Sequence, residues 1–298
     1  MKEYSFDDYK ELLENHLTDF IPDIDHKSIT LYDSMKYSLA AGGKRIRPVL
    51  LLAACDFCGG NVEEALPYAC AIEYIHTYSL IHDDLPCMDD DDMRRGQPTN
   101  HKIYGEAIAT LAGDGLQAAA FETMSRDMLL YFDDDKGLKN RIRAFNEICK
   151  GSGVRGMIAG QVGDIEAEDK HCSSEMLDYI HLTKTASLII ASVRAGAMLG
   201  GADSETLERL TIYAENLGLA FQIRDDILDV IGEEEEMGKK SGMDSIKKKA
   251  TYPSIHGFEE SMEQLEIRTA KAIEILEPYY DNAEEFVKLA KNLEVRGN

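Results

Sequence analysis

Apolar residues recur at three- and four-residue spacing along almost the whole chain, and the strict alternation of a half-buried strand is scarce. Such a chain is committed to helices. Ser5 and Asp8 have the spacing of a capping box, and Phe6, Tyr9, Leu13, Leu17 and Phe20 then recur at helical spacing as far as Pro22. A second helix is expected from about Thr30 to Ala41, stopped by Gly42 and Gly43, and Pro48 reads as the first residue of a third. Val62 to His82 reads as one long, mostly apolar helix. Further helices are expected over 104–131, 138–150, 174–199, 204–231, 259–276 and 282–294, with the seven prolines mostly at the breaks. The pattern predicts an all-α bundle of ten or more helices. No long low-complexity linker divides it, so one domain over 1–298 is expected. The exception to regular periodicity is 232–252, a charged, glycine-punctuated loop.

Two of these helices end in clustered aspartates. In "FQIRDDILDV", Gln222, Asp225 or Asp226, and Asp229 fall along one stripe at about 100° per residue. Carboxylates one turn apart on an otherwise apolar helix repel each other, and hiding them unpartnered costs several kcal/mol. A divalent cation removes that cost, and a sparse set of hard oxygen ligands suits Mg²⁺ better than zinc. The other cluster, "SLIHDDLPCMDDDDMRRGQPTNH", places Asp83 and Asp89 six apart, about 240° round a regular helix. They meet only if the helix breaks between them, and Pro86, with no amide to bond back to His82, is the residue that breaks it. Both clusters sit at helix C-termini, where the macrodipole disfavours carboxylates. Cations held there account for the placement.

The formal charge of −23, from 32 basic and 55 acidic side chains, argues against a nucleic-acid or anionic-membrane surface. An anionic ligand must therefore be bound locally. Lys44, Arg45 and Arg47 in "GGKRIRP" stand between a helix-ending glycine pair and a helix-opening proline; Arg94 and Arg95 follow the first acid cluster; Lys184 sits beside Thr185, and Lys239 and Lys249 lie in the charged loop. Acid clusters together with separate basic clusters are what a metal-bridged diphosphate and a second, metal-free diphosphate require. The six cysteines are scattered and read as ordinary thiols, since Cys55 and Cys58 have no second pair to complete a zinc site. "VLLLAAC" and "SLIIASV" fall far short of the roughly 20 apolar residues of a membrane span, and the acidic amphipathic N-terminus lacks a signal-peptide core. A cytoplasmic location is expected.

Taken in order, "GGKRIRP", "SLIHDDLPCMDDDDMRRGQPTNH", "TKTASL", "FQIRDDILD" and "MGKKSGMD…KKKATYP" resemble the motifs of the trans-isoprenyl diphosphate synthase (polyprenyl synthetase) family over about residues 30–290, and most closely those of its bacterial farnesyl-forming branch. The resemblance implies helices packed around a central cavity and a homodimer. It implies that Asp83, Asp84 and Asp89 hold two Mg²⁺ ions and that Asp225, with Asp226 and Asp229, holds a third, Mn²⁺ being a possible substitute. Arg94, Lys184, Thr185, Gln222, Lys239 and Lys249 match positions that contact the allylic diphosphate, dimethylallyl or geranyl. Lys44, Arg47, His76 and Arg95 match those that hold isopentenyl diphosphate. Thr185, Gln222 and the Lys184 carbonyl are the implied stabilisers of an allylic cation. The implied reaction is head-to-tail condensation to farnesyl diphosphate, with geranylgeranyl diphosphate as the alternative product.

The resemblance also implies that chain length depends on Tyr78, five residues before the first aspartate, although Ser79 lies nearer the face of Asp83 by periodicity. Two other classes fit the sequence less well. The His82-Asp83 dipeptide occurs in metal-dependent phosphohydrolases, but the other histidines show no metal spacing; a silent synthase subunit would normally lack one aspartate array, and both are complete here.

Overall fold

A computed structural model describes residues 4–23, 25–168, 172–231, 249–279 and 282–293. The first helices follow the expected pattern with instructive shifts. α1 (Phe6–His16) is opened by a true capping box: Ser5 Oγ accepts from the Asp8 amide and Asp8 Oδ2 from the Ser5 amide. It ends earlier than its apolar spacing suggests, and Leu17 continues as a buried turn residue. α2 (Ile29–Ala40) is followed by α3 (Ile46–Phe57), whose cap is Arg45 in the left-handed region, φ 51°. Pro48 is thus the third helical residue, not the first. It still lies in the first turn, where its missing amide has no intrahelical partner to lose.

α4 (Val62–Asp83) is the buried spine, and it packs antiparallel to α6 (Glu106–Leu130). Gly113 permits the close approach, since a Cβ there would sit 2.1 Å from His82 Nε2. Between them lie the short α5 (Asn100–Tyr104) and a hairpin absent from the sequence expectation, β1 (Met93–Arg94) paired with β2 (Gln97–Pro98). Its two-residue turn, Arg95 and Gly96, has φ of 52° and 76°, the pair of positive values that an antiparallel hairpin of this length favours.

α7 (Asp135–Ser152) and α8 (Met157–Ala167) lead to α9 (Ser174–Ile180), a π-helical turn over His181–Ala186, and α10 (Ser187–Leu199). By length and composition Ser174–Leu199 could cross a bilayer, but 67% of its most apolar window is buried inside the bundle, where α10 packs on α3, α7 and α11 (Ser204–Ile231). The chain closes with α12 (Tyr252–His256), α13 (Phe258–Glu274) and α14 (Glu284–Lys291). One hydrophobic cluster runs from Tyr9 through α3, α4, α10 and α11 to Leu293. Burial of that shared surface is the main driving force for the assembly.

Candidate active site

The break after α4 occurs as the proline requires. The helix ends at Asp83, the Leu85 amide takes the His82 carbonyl that residue 86 cannot use, and the Asp89 amide bonds back to the Asp83 carbonyl at 2.8 Å. Asp83 and Asp89 are thereby drawn to one place. Burial raises the Asp83 carboxyl above its usual range, an effect opposed by Lys184 and reinforced by the charge of Asp89. Lys249 Nζ lies 3.2 and 3.3 Å from the two Asp89 oxygens. Asp84 has a different neighbour: Arg94 grips it through Nε at 2.8 and 3.0 Å and Nη2 at 2.6 Å. The carboxylates beyond Asp89 work at the rim, Asp91 lying 3.7 Å from Arg94 Nη2 and Asp92 pairing with exposed Lys102 at 2.6 Å.

The second array meets the first across a cavity of about 220 Å³ that is lined by Asp89, Asp164, Lys184, Thr185, Gln222, Asp225, Asp226 and Lys249 among others. Two acid motifs far apart in sequence thus share one cavity. Asp229, on the same helix, is buried. Asp226 lines the cavity, but its Oδ1 accepts from Gln222 Nε2 at 2.8 Å and its Oδ2 from the Tyr252 amide at 2.8 Å.

Lys184 and Thr185 reach the cavity from the π-helical turn, a local widening often found at functional sites. Two glycines clasp this turn: a Cβ on Gly160 would come within 2.1 Å of the Lys184 amide, and one on Gly218 within 2.6 Å of the Ala186 Cβ. Thr185 Oγ1 donates to Gln222 Oε1 at 2.7 Å, and Lys184 Nζ to Asp164 Oδ2 at 2.5 Å. Asp164 also lies 3.9 Å from Lys249. Sequence reasoning missed it. The available signal was a single aspartate directly after "AGQVG", too weak beside runs of aspartate.

The basic residues separate by role. Arg45 is a structural pin, 3% exposed, bonded to Glu14 at 2.8 Å, to the Leu39 carbonyl at 2.6 Å and to Glu73. Arg47 Nη1 lies 3.5 Å from His76 Nε2. Arg95 lies across Gly43, whose absent Cβ leaves room for the guanidinium, and donates to the Gly42 carbonyl. Burial first, then Arg47, Arg95, Arg94 and Arg45 in turn, push His76 well below its ordinary value, so its imidazole is neutral in this cationic recess. Concentrated positive charge around a neutral imidazole favours an anion. Lys44 stands exposed at the edge, lining a separate cleft with Arg224.

Tyr78 is buried on α4 with its ring edge-on to His82 at 5.8 Å, and burial lifts its phenol to about 12. Ser79 turns its hydroxyl back to the His76 carbonyl at 2.8 Å. The structure therefore offers Tyr78, not Ser79, as the bulky group below Asp83. Lys239 lies outside the described residues.

Among the described residues no three acidic, histidine or cysteine side chains already converge as a metal cage. The donor chemistry nonetheless fits magnesium, which binds through one or two carboxylates while keeping water and phosphate oxygens as its other ligands. Asp89, Asp164 and Asp225 present oxygens to one cavity, and the Lys249 ammonium already lies against Asp89 as a positive charge.

Comparison with known proteins gives a concordant result. The family described as polyprenyl synthetase matches residues 29–289. The chain is 45% identical to the farnesyl diphosphate synthase of Bacillus subtilis over 265 residues, covering 89% of this chain and 88% of that one. It is 47% identical to the geranylgeranyl diphosphate synthase of Cyanophora paradoxa over 274 residues, covering 92% and 89%. Among solved structures, an apo FPP/GFPP synthase from Zymomonas mobilis superposes with a TM-score of 0.84 at 33% identity over 97% of each chain.

Proposed function

The chain belongs to the polyprenyl synthetase family and is a trans-prenyltransferase, and we propose that it condenses isopentenyl diphosphate with dimethylallyl and then geranyl diphosphate to give farnesyl diphosphate. The observation that carries this reading is the single cavity where both aspartate arrays, two lysines and the Thr185–Gln222 pair meet, beside the Arg47–His76–Arg95 recess. In this reading Asp83, Asp84 and Asp89 on one side and Asp225, Asp226 and Asp229 on the other supply the carboxylates of the magnesium sites, with Asp83, Asp89 and Asp225 the chief ligands. Bound magnesium supplies positive charge to the leaving diphosphate.

The side chains do the rest. Arg94, Lys184, Lys239 and Lys249 bind the allylic diphosphate; Lys44, Arg47, His76 and Arg95 hold isopentenyl diphosphate. When the allylic C–O bond breaks, its electron pair leaves with the diphosphate, and cations matched to that developing charge lower the barrier more than they stabilise bound substrate. The oxygens of Thr185 and Gln222 and the Lys184 carbonyl face the allylic cation. The double bond of isopentenyl diphosphate attacks that carbon, and loss of a proton to the released diphosphate restores an alkene. Apolar Leu111, Leu129 and Leu130 on α6 and Phe132 beyond it are exposed, and they support a homodimer that buries them.

A C15 product is favoured by buried Tyr78 below Asp83, while similarity to a geranylgeranyl diphosphate synthase keeps C20 as the competing outcome. The test is incubation of the purified chain with isopentenyl and dimethylallyl diphosphates and Mg²⁺, followed by chromatography of the dephosphorylated products. Farnesol as the main product supports the proposal; geranylgeraniol moves it to C20, and absence of any elongation overturns it.

A further inference from the structure

We propose that Asp226 is a positioning residue: it fixes the polarity of the Thr185–Gln222 pair and anchors the segment that carries Lys249. The inference rests on the prenyl-transfer reading and refines the part Asp226 plays in the second array, removing it from the magnesium ligands. Asp226 is 3% exposed, and each of its oxygens already has a protein donor. Oδ1 accepts from Gln222 Nε2 at 2.8 Å; Oδ2 accepts from the Tyr252 amide at 2.8 Å, with His181 Nε2 at 3.4 Å. The two bonds fix the orientation of the carboxylate, and rotating it toward a metal would break one of them and leave a buried N–H without an acceptor.

The consequence for Thr185 follows from donor and acceptor inventories. An ionised carboxylate can only accept, so Gln222, one helical turn before Asp226, must turn its NH₂ group toward it. The Gln222 oxygen is then left for Thr185, whose Oγ1 at 2.7 Å must donate. With its proton committed, the hydroxyl has its lone pairs left for the cavity that Thr185 lines. That is the polarity a developing cation needs. An amide at 226 could present either a donor or an acceptor, and Gln222 could then flip, aiming the Thr185 proton at the cation.

The second oxygen acts on the other wall. Tyr252 opens α12, so its amide is one that the helix itself cannot satisfy, and Asp226 takes it. The Tyr252 ring stacks on His181 at 6.0 Å and on His256 at 4.4 Å. Three residues earlier, Lys249 stands over Asp89. Asp226 therefore ties α12 to α11 at the point where Lys249 enters the cavity.

The experiment uses the full-length protein and its Asp226→Asn, Asp225→Asn, Thr185→Val and Asp226→Asn/Thr185→Val variants. Mg²⁺ binding with inorganic diphosphate is read by calorimetry, and kcat with geranyl and isopentenyl diphosphates. Asp226→Asn is expected to bind Mg²⁺ within about twofold of the parent, whereas Asp225→Asn loses about tenfold or more. Its kcat should fall about 10–100-fold, and adding Thr185→Val should change it by less than about twofold although that substitution is costly alone. Loss of Mg²⁺ affinity equal to that of Asp225→Asn would make Asp226 a ligand and overturn the proposal; additive kcat losses would overturn the polarity link. If Asp226→Asn does not fold, Tyr252→Pro removes the anchored amide at a helix position that tolerates proline, and Tyr252→Ala controls for the ring. A higher KM for geranyl diphosphate in the proline variant than in the alanine variant supports the anchor, and equal values overturn it. A parent protein that elongates nothing fails the prenyl-transfer reading, while calorimetry still separates Asp226 from Asp225.

Discussion

At the N-terminal end of α4, Glu64 meets Arg141 at 3.1 Å and the Tyr131 hydroxyl at 2.7 Å, and Arg141 reaches Asp127 at 2.9 Å; at its C-terminal end, Asp83 and Asp89 stand with Asp164, Lys184 and Lys249. The residue types are alike. Burial raises the carboxyl pKa of both Asp127 and Asp83, so burial alone does not distinguish a site from a strut. The partners do. Arg141 bridges two carboxylates and lies over the Tyr131 ring at 3.1 Å, a closed set with each charge answered. At the other end, acids from α4, α8 and α11 outnumber the lysines facing them, around a cavity of about 220 Å³. A closed cluster holds helices together; an open one waits for charge to be added.

The largest effects should come from the open cluster and leave stability nearly untouched. Asp83→Ala and Asp225→Ala are each expected to lower kcat by at least about 100-fold, with urea unfolding midpoints close to the parent's. A near-parental rate in either variant would remove that aspartate from the metal assignment. The closed cluster should respond in reverse. Arg141→Met strands the buried carboxylate of Asp127 and removes the bond to half-exposed Glu64, and should cost about 3–5 kcal/mol of unfolding free energy, with kcat per folded molecule kept. If Arg141→Met instead abolishes turnover at full stability, the division between the two ends of α4 fails.

The same contrast explains what could be read in the sequence. Long periodic helices such as 62–82 and 204–231 were legible almost to the residue, because an apolar face repeated over five or more turns has one solution. Pro86 was legible because a missing amide has a local consequence. The difference between Arg45 and Arg47 was not: two residues apart at the start of α3, they are separated by the left-handed φ of Arg45, which sends it to Glu73 and Glu14 and leaves Arg47 beside His76. No helix is expected over α8 because Gly156, Gly160 and Gly163 interrupt the apolar periodicity there, whereas the fold uses Gly160 for close approach to the backbone of Lys184. The hairpin after Asp92 was hidden because Arg95 occupies a turn position usually given to glycine or asparagine. The protein partners of Asp84 and Asp226, Arg94 for the one and Gln222 with Tyr252 for the other, were not legible either, because they depend on contacts across the fold.

A smaller change, in product and not in rate, is expected below the open cluster. Tyr78 is 5% exposed and its hydroxyl makes no hydrogen bond of good geometry among the described residues, so its bulk rather than its polarity fills the space under Asp83. Tyr78→Ala should shift the main product from C15 toward C20 and longer, read by chromatography after dephosphorylation. Tyr78→Phe should leave chain length unchanged. An unaltered profile in the alanine variant would take Tyr78 out of the chain-length argument.

The smallest effect is a pH dependence that places the basic recess between the two clusters. His76 is neither answered by a carboxylate, as Arg141 is, nor left facing acids, as Lys184 is; guanidinium groups surround it, and burial with their repulsion holds its folded pKa well below 6.5. An unfolded chain takes up a proton on this imidazole below about pH 6.5, while the folded chain does not until much lower pH. Folding stability from this group is therefore complete above that value and is lost as pH falls from it toward the depressed folded pKa. His76→Gln should flatten the fall in unfolding free energy between about pH 6.5 and 5, and the imidazole proton resonances of the folded parent should not titrate near 6.5. A normal titration there would mean that the recess already contains a counter-charge, and that it belongs with the closed cluster rather than with the open one.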